Sequence, residues 1–162
     1  MAKSEIAAEP NKQEILVTRV FDAPRELVFR MYSDVQAIPK WWGPQYLTTV
    51  VEKMEVRKGG IWRFLQKDAD GNEHAFNGVY HDCVPPEKLV RTFEYEGNPG
   101  NVMLETVTLE ALQEGRTKLT AHTIFQTLEA RNWMLQNGAE KGASEGMDRL
   151  AELLANIKNQ PR

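Results

Sequence analysis

The chain has a single cysteine, Cys83, in 162 residues, which excludes an intramolecular disulfide. Cys83 sits in an apolar, strand-like run without a basic neighbour to lower its pKa, so it reads as a small buried hydrophobe rather than a reactive thiol. Histidine is scarce too. His74, His81 and His122 form no HxH or HxxxH pair, and no cysteine stands at zinc spacing from them. No metal and no cofactor is therefore expected. The serines are Ser4, Ser33 and Ser144; Ser144 spells GxSxG with Gly142 and Gly146, but inside a helical run and not at the strand-to-helix turn of a nucleophile elbow, and none is in an SxxK setting. The glycine turns "RKGGIW" and "EGNPGN" lack the Lys-Ser/Thr of a phosphate loop. The net charge is −3 with acids and bases interspersed, and no Lys/Arg block points to nucleic acid or to an anionic membrane surface. No apolar run approaches a membrane span, and the N-terminus lacks a signal-peptide core. The expectation is a cytoplasmic protein with no catalytic constellation.

What is present is a clear sequence of elements. Residues 1–12 are polar and aperiodic and read as a mobile tail, followed by one domain over residues 13–160. "EILVTRVFDA" is strand-like. "DAPRELVFRMYSD" changes to helical period, with Asp22 as the expected N-cap and Pro24 in the first turn. A second short helix over residues 35–40 ends at "KWWGP", where Gly43 and Pro44 stop it. From Tyr46 to Leu128 six strand-like runs alternate with the turn signals "RKGG", "DADGN", "VPPE", "EGNPGN" and "QEG". Connections that short imply an antiparallel meander. Residues 129–158 read as one long helix. The expected order is strand, two short helices, six strands, helix: an α+β fold with one curved sheet of about seven strands.

The last helix carries glycines at 138, 142 and 146, each costing about 1 kcal/mol relative to alanine in a helix interior. On a wheel of about 100° per residue, Ala139, Ala143, Met147, Leu150, Leu154 and Ile157 share one face, which the glycines flank. The face is graded. Its N-terminal half is small (Ala139, Gly142, Ala143, Gly146) and its C-terminal half is bulky. Two readings follow: close packing of helix on sheet, or a cavity beside the small half.

The motifs "TRVFDAPRELVFRMYSD", "WWGP", "GGIWRF", "FNGVYHDCVPPEKLVRTF" and "GAEKGASEGMDRLAELL" occur in an order and spacing that resemble the activator of heat-shock protein 90 ATPase homologue family. That family belongs to the START-like (polyketide cyclase/dehydrase, SRPBCC) superfamily. The resemblance runs from about Glu14 to Ala155. It implies a helix-grip fold, in which a curved antiparallel sheet wraps a long C-terminal helix with a hydrophobic cavity between. It also implies three functions: binding of a small hydrophobic ligand without chemistry, co-chaperone action on a heat-shock protein 90 type ATPase, or a cyclase- or hydrolase-like reaction in the same cavity. One departure stands out. Relatives often have a large aromatic, commonly Trp, at the position of Ala143. Either the cavity is enlarged here or another ring takes that place.

The candidate ligand-binding residues are Trp41, Trp42, Trp62, Phe64, Phe76, Tyr80, Phe93, His122, Gly142, Ala143 and Gly146. One of Trp41 and Trp42 is expected under the first helix and the other at a pocket mouth. Strand parity leaves two orientations for each strand aromatic. Arg63 and Arg91 are expected to point outward; one that turned inward would meet an acidic group on a ligand. Glu105 and Asp82 are expected at the surface.

Overall fold

The computed structural model describes residues 3–159. Met1, Ala2 and residue 160, parts of the expected tail and domain, lie outside the described residues. The elements are β1 (Glu5–Ala7), β2 (Glu14–Phe21), α1 (Arg25–Ser33), α2 (Ile38–Trp41), β3 (Thr48–Met54), β4 (Ile61–Lys67), β5 (Glu73–Val84), β6 (Lys88–Tyr95), β7 (Val102–Ala111), β8 (Thr117–Ile124), α3 (Leu128–Gln136) and α4 (Ala139–Lys158). All eight strands form one antiparallel sheet in the order β1-β2-β8-β7-β6-β5-β4-β3. The sheet is curved and unclosed, and it grips the C-terminal helix. This is the helix-grip architecture.

The strand pattern follows from alternation. On β2, Ile15, Val17 and Phe21 are buried while Leu16 is exposed. On β7, Met103, Val107 and Leu109 are buried while Leu104 is exposed. Side chains two apart share a face, so each strand contributes one row to the inner, concave side. The ladder carries these rows across the sheet through pairs such as Phe64↔Phe76 and Phe76↔Tyr95.

Three departures from the sequence reading have plain causes. The sheet has eight strands rather than seven, because Glu5–Ala7 in the expected tail pairs with Leu16–Thr18. Beside it, Ser4 Oγ accepts a hydrogen bond from Arg19 at 3.1 Å. Helix α1 is capped by Pro24 without a side-chain bond, not by Asp22. The long helix is broken into α3 and α4. Gly138 adopts φ +87°, the left-handed region that glycine enters without penalty, and turns the chain between them. At the other end of α3, Thr127 is the N-cap, accepting from the Ala130 N–H at 3.0 Å.

The helices cover the sheet unevenly. Helix α1 lies over β7, and α4 rests on α2 and on β2. Buried Leu150 and Leu154 anchor the C-terminal half of α4 in the main core. Arg149 fixes α4 to the end of α2, donating to the carbonyls of Lys40 at 3.2 Å and Gly43 at 2.8 Å. The Lys40 carbonyl is one of the orphan carbonyls of the α2 end, and the Gly43 carbonyl lies just beyond it. Among the described residues no helix is long and apolar enough to cross a membrane.

Candidate ligand-binding groove

The inner face of the central strands is not sealed. Phe76 on β5, Phe93 and Tyr95 on β6, Glu105 on β7, and Ala121 and Thr123 on β8 all face inward yet stay partly accessible. The Glu105 side chain is 19% exposed although it lies in the middle of the sheet. These residues adjoin through the pairs Phe76↔Tyr95, Glu105↔Thr123 and Val107↔Ala121. They leave the inner face of the central strands incompletely covered.

The small residues of α4 divide into two kinds. A Cβ built on Gly142 meets no heavy atom within 4 Å, so this position borders open space. A Cβ on Gly146 would lie 3.6 Å from the Gly43 nitrogen and 3.8 Å from the Trp41 carbonyl oxygen. Gly146 is buried against the α2–β3 segment, an instance of close packing. Ala143 is partly buried against the core. Close packing therefore holds at Gly146, while one turn earlier Gly142 has no neighbour.

Aromatic rings make the wall. Trp42 stands edge-on to Phe64 and Phe76, with centroids 5.1 and 5.2 Å apart, and lies 6.1 Å from Phe93. Trp62 is 4.7 Å from Phe64 and 5.3 Å from Phe93. Edge-to-face pairs at such distances add to the burial of apolar area. Trp42 follows α2 and packs on these strand rings. Trp62 and Phe64 are fully buried, whereas Trp42, Phe76 and Phe93 are partly open.

Trp62 is paired across the strands with Gly78. The β5–β6 ladder opens between the pairs Asn77↔Glu94 and Tyr80↔Arg91. There the Trp62 indole N–H reaches the Thr92 carbonyl at 3.2 Å, and the Val79 N–H turns to Thr92 Oγ1 at 2.9 Å. A Cβ on Gly78 would lie 1.9 Å from the Thr92 oxygen and 2.6 Å from the indole nitrogen.

At the α1 end of the groove the inner face becomes polar. Arg91 is 2% exposed and donates through Nε to Glu105 Oε1 at 2.8 Å. Its guanidinium stands 4.5 Å from the centre of the Trp62 ring, a cation–π contact. Tyr80 is fully buried, and its hydroxyl lies beside the Arg91 guanidinium without meeting strict hydrogen-bond geometry. Burial pushes the Tyr80 hydroxyl up, against the opposing pull of Arg91. Burial likewise raises the Tyr32 hydroxyl, beside Glu105 and Arg91. For Arg91 burial works against the charge, but the neighbouring Glu105 carboxylate, with smaller help from Tyr80, more than offsets it and raises the pKa. The expectation that Arg91 points outward and Glu105 lies at the surface is corrected. Both face inward, and the acidic partner of Arg91 is the protein's own. Their register shows it in retrospect: Leu89, Arg91, Phe93 and Tyr95 alternate on one face of β6, as do Met103, Glu105 and Val107 on β7. Arg63 does face outward, bound by Glu96 at 2.8 Å and by Glu52.

Of the candidate residues, Trp42, Trp62, Phe64, Phe76, Tyr80 and Phe93 come together on the inner wall. Gly142 borders open space and Ala143 is partly buried against the core. Three stand elsewhere. Trp41 is buried under α1, its indole donating to the Met31 carbonyl at 2.9 Å and its ring 4.7 Å from Tyr32. Gly146 is a packing contact. His122 lies on the outer face of β8, in line with exposed Ile124, and meets Glu14 of β2. The interaction with His122 holds the Glu14 carboxyl below its usual range. His74 bonds the Tyr95 hydroxyl at 2.7 Å, and His81 is exposed. Among the described residues no group of three His, Cys, Asp or Glu side chains is placed to hold a metal. Burial, followed by Asp82, raises the Cys83 thiol.

Two concavities lie at other places in the fold. A void of about 10 Å³, room for one water, lies between the β6–β7 hairpin and α3, against Tyr95, Met103, Phe125 and Met134. A shallow cleft of about 680 Å³ runs along the C-terminal half of α4, lined by Arg19, Asp22, Arg116, Glu152 and Lys158 among others. Its rim is charged and lacks an aromatic wall like that of the groove.

The model of the Activator of Hsp90 ATPase homolog 1-like protein family matches residues 22–155. The chain belongs to this family. Solved structures share its fold. A Mycobacterium smegmatis protein superposes with TM-score 0.84 at 22% identity, over 94% of this chain and 96% of that one. A Rhodobacter sphaeroides protein gives TM-score 0.86 at 22% identity, over 95% and 99%. A Chromobacterium violaceum protein gives TM-score 0.77 at 28% identity, over 87% and 96%. No curated protein matches the chain significantly. Membership of the Activator of Hsp90 ATPase homolog 1-like family brings a fold suited to hydrophobic ligands and, at a general level, ligand or chaperone interaction.

Proposed function

We propose that the protein binds a small, mostly apolar ligand in the groove between the inner face of β5–β8 and the N-terminal half of α4, without catalysing its conversion. The observation that carries this reading is the partial accessibility of inward-facing side chains on central strands, opposite a helix face with no side chain at Gly142. A sheet sealed by its helix would bury that row. The remaining lining is aromatic with few polar groups, the composition of small-molecule sites. Trp42 fills part of the space in the free protein, so ligand entry displaces or rotates its ring.

Indole N–H signals in a two-dimensional ¹H–¹⁵N NMR spectrum test the proposal, with 6-propionyl-2-(dimethylamino)naphthalene as a neutral aromatic probe. The Trp42 signal, assigned by its loss in Trp42→Phe, should shift on saturation, together with that of Trp62. The Trp41 signal should stay in place because its ring is buried under α1 against Tyr32, away from the strand rings of the inner wall. Saturable binding that leaves Trp42 and Trp62 unmoved would contradict the proposed site.

A further inference from the structure

We infer that the cleft between β2 and the C-terminal half of α4 is a second ligand site, separate from the groove, and that it takes a small molecule bearing a single carboxylate. Arg19 leads there. Along β2 it belongs to the inward row Ile15, Val17, Arg19, Phe21, so its guanidinium lies on the side that α4 covers. The side chain is 1% exposed and lines the cleft of about 680 Å³. Nη1 donates to Asp148 Oδ1 at 2.7 Å and to Ser4 Oγ at 3.1 Å. Nε is buried without a partner, and Nη2 makes no hydrogen bond among the described residues. Nε and Nη2 form one edge of the guanidinium, whose parallel N–H groups match the two oxygens of a carboxylate. Such donors are costly to leave unpaired. Asp148 and Ser4 close the Nη1 side, which leaves the other edge to whatever fills the cleft.

The other charges narrow the class of ligand. Asp148 is 64% exposed, so solvent screens its hold on the buried cation. Lys158 is bound to Asp22 at 3.4 Å. Arg116 and Glu152, also on the cleft, have no ion pair among the described residues. With that carboxylate present, a polyanion is disfavoured and one negative group is accommodated. Between the charged groups the wall is apolar, with Phe21, Ala151, Leu154 and Ala155. The body of the ligand lies there, along α4.

Octanoate and its uncharged counterpart octanamide test the inference on the full chain. The Arg19 Nε–H signal in a ¹H–¹⁵N NMR spectrum, assigned through bonds from its backbone, should move on titration with octanoate and stay in place with octanamide. Arg19→Lys keeps the charge and loses the fork, and should bind octanoate about tenfold more weakly. Asp148→Asn removes the competing carboxylate from an exposed position. It should bind octanoate at least about threefold more tightly than the wild type, and octanoate should raise its melting temperature by more. Should Arg19→Lys not fold, Asp148→Asn carries the test. An Nε–H signal that octanoate leaves in place, or that octanamide moves as far, overturns the inference. So does an Asp148→Asn variant with unchanged or weaker affinity. Octanoate that shifts the indole signals of Trp42 and Trp62 alone would place the acid in the groove, and the inference would fail while the proposed function stands.

Discussion

Gly78→Ala is expected to destabilise the protein by about 3 kcal/mol or more, lowering its melting temperature by roughly 10 °C. The added methyl would lie 1.9 Å from the Thr92 carbonyl oxygen and 2.6 Å from the Trp62 indole nitrogen. The first contact is with backbone, so no side-chain rotation relieves it. Strands β5 and β6 would have to part, and they are paired on both sides of this point. The second contact disturbs the Trp62 bond to Thr92 and with it the ring against which Arg91, Phe64 and Phe93 pack. Thermal unfolding followed by circular dichroism reads the effect. A variant that melts within a degree or two of the wild type would show that the strands yield easily here and that Trp62 is not held by Gly78.

Glu105→Ala carries the second large effect. Arg91 is 2% exposed, and losing its carboxylate leaves a buried cation unpaired. Breaking such a pair from one side costs about 3–5 kcal/mol. The lower end is expected, because the Glu105 side chain is itself 19% exposed and water can reach the gap. Removing both charges should be milder. The double variant Arg91→Met, Glu105→Leu should recover most of the lost stability, since apolar residues of similar volume often replace a buried pair without loss. Urea unfolding of the two single variants and the double variant measures the coupling. A Glu105→Ala variant that loses less than about 1 kcal/mol would mean that Arg91 finds solvent on its own.

Much of this molecule could be read from its residues, and the limits have physical causes. The six central strands were legible because their turns are written in Gly, Pro, Asn and Asp, and because apolar residues alternate along them. β1 was not, because three residues, Glu5–Ala7, are too few for a periodic signal; the strand exists through pairing with β2. The break at Gly138 was legible in principle, since "QNG" is a turn signal. It was masked by helical periodicity on both sides. The inner aromatics were identified as a group, but parity alone gave no direction to any one of them. Neighbouring strands supply it, as when Phe64 pairs with Phe76 and Phe76 with Tyr95. Arg91 and Glu105 were read outward on the general cost of burying charge. They bury as a pair across β6 and β7, a cancellation visible only once the register is known. His122 was placed among the candidates although it shares a face with Thr120 and Ile124. That face turned out to be the outer one.

Ala143→Trp tests most directly whether the N-terminal half of α4 borders a binding groove rather than a packed interface. The affinity of the folded variant for 6-propionyl-2-(dimethylamino)naphthalene is the quantity to measure, with its melting temperature alongside. If the groove is real, the ring occupies it: the variant melts close to the wild type, and binding falls by at least about tenfold. If the helix is packed on the sheet, the ring overfills the interface, the variant loses roughly 1–3 kcal/mol, and any binding by the wild type survives in the variant because it lies elsewhere.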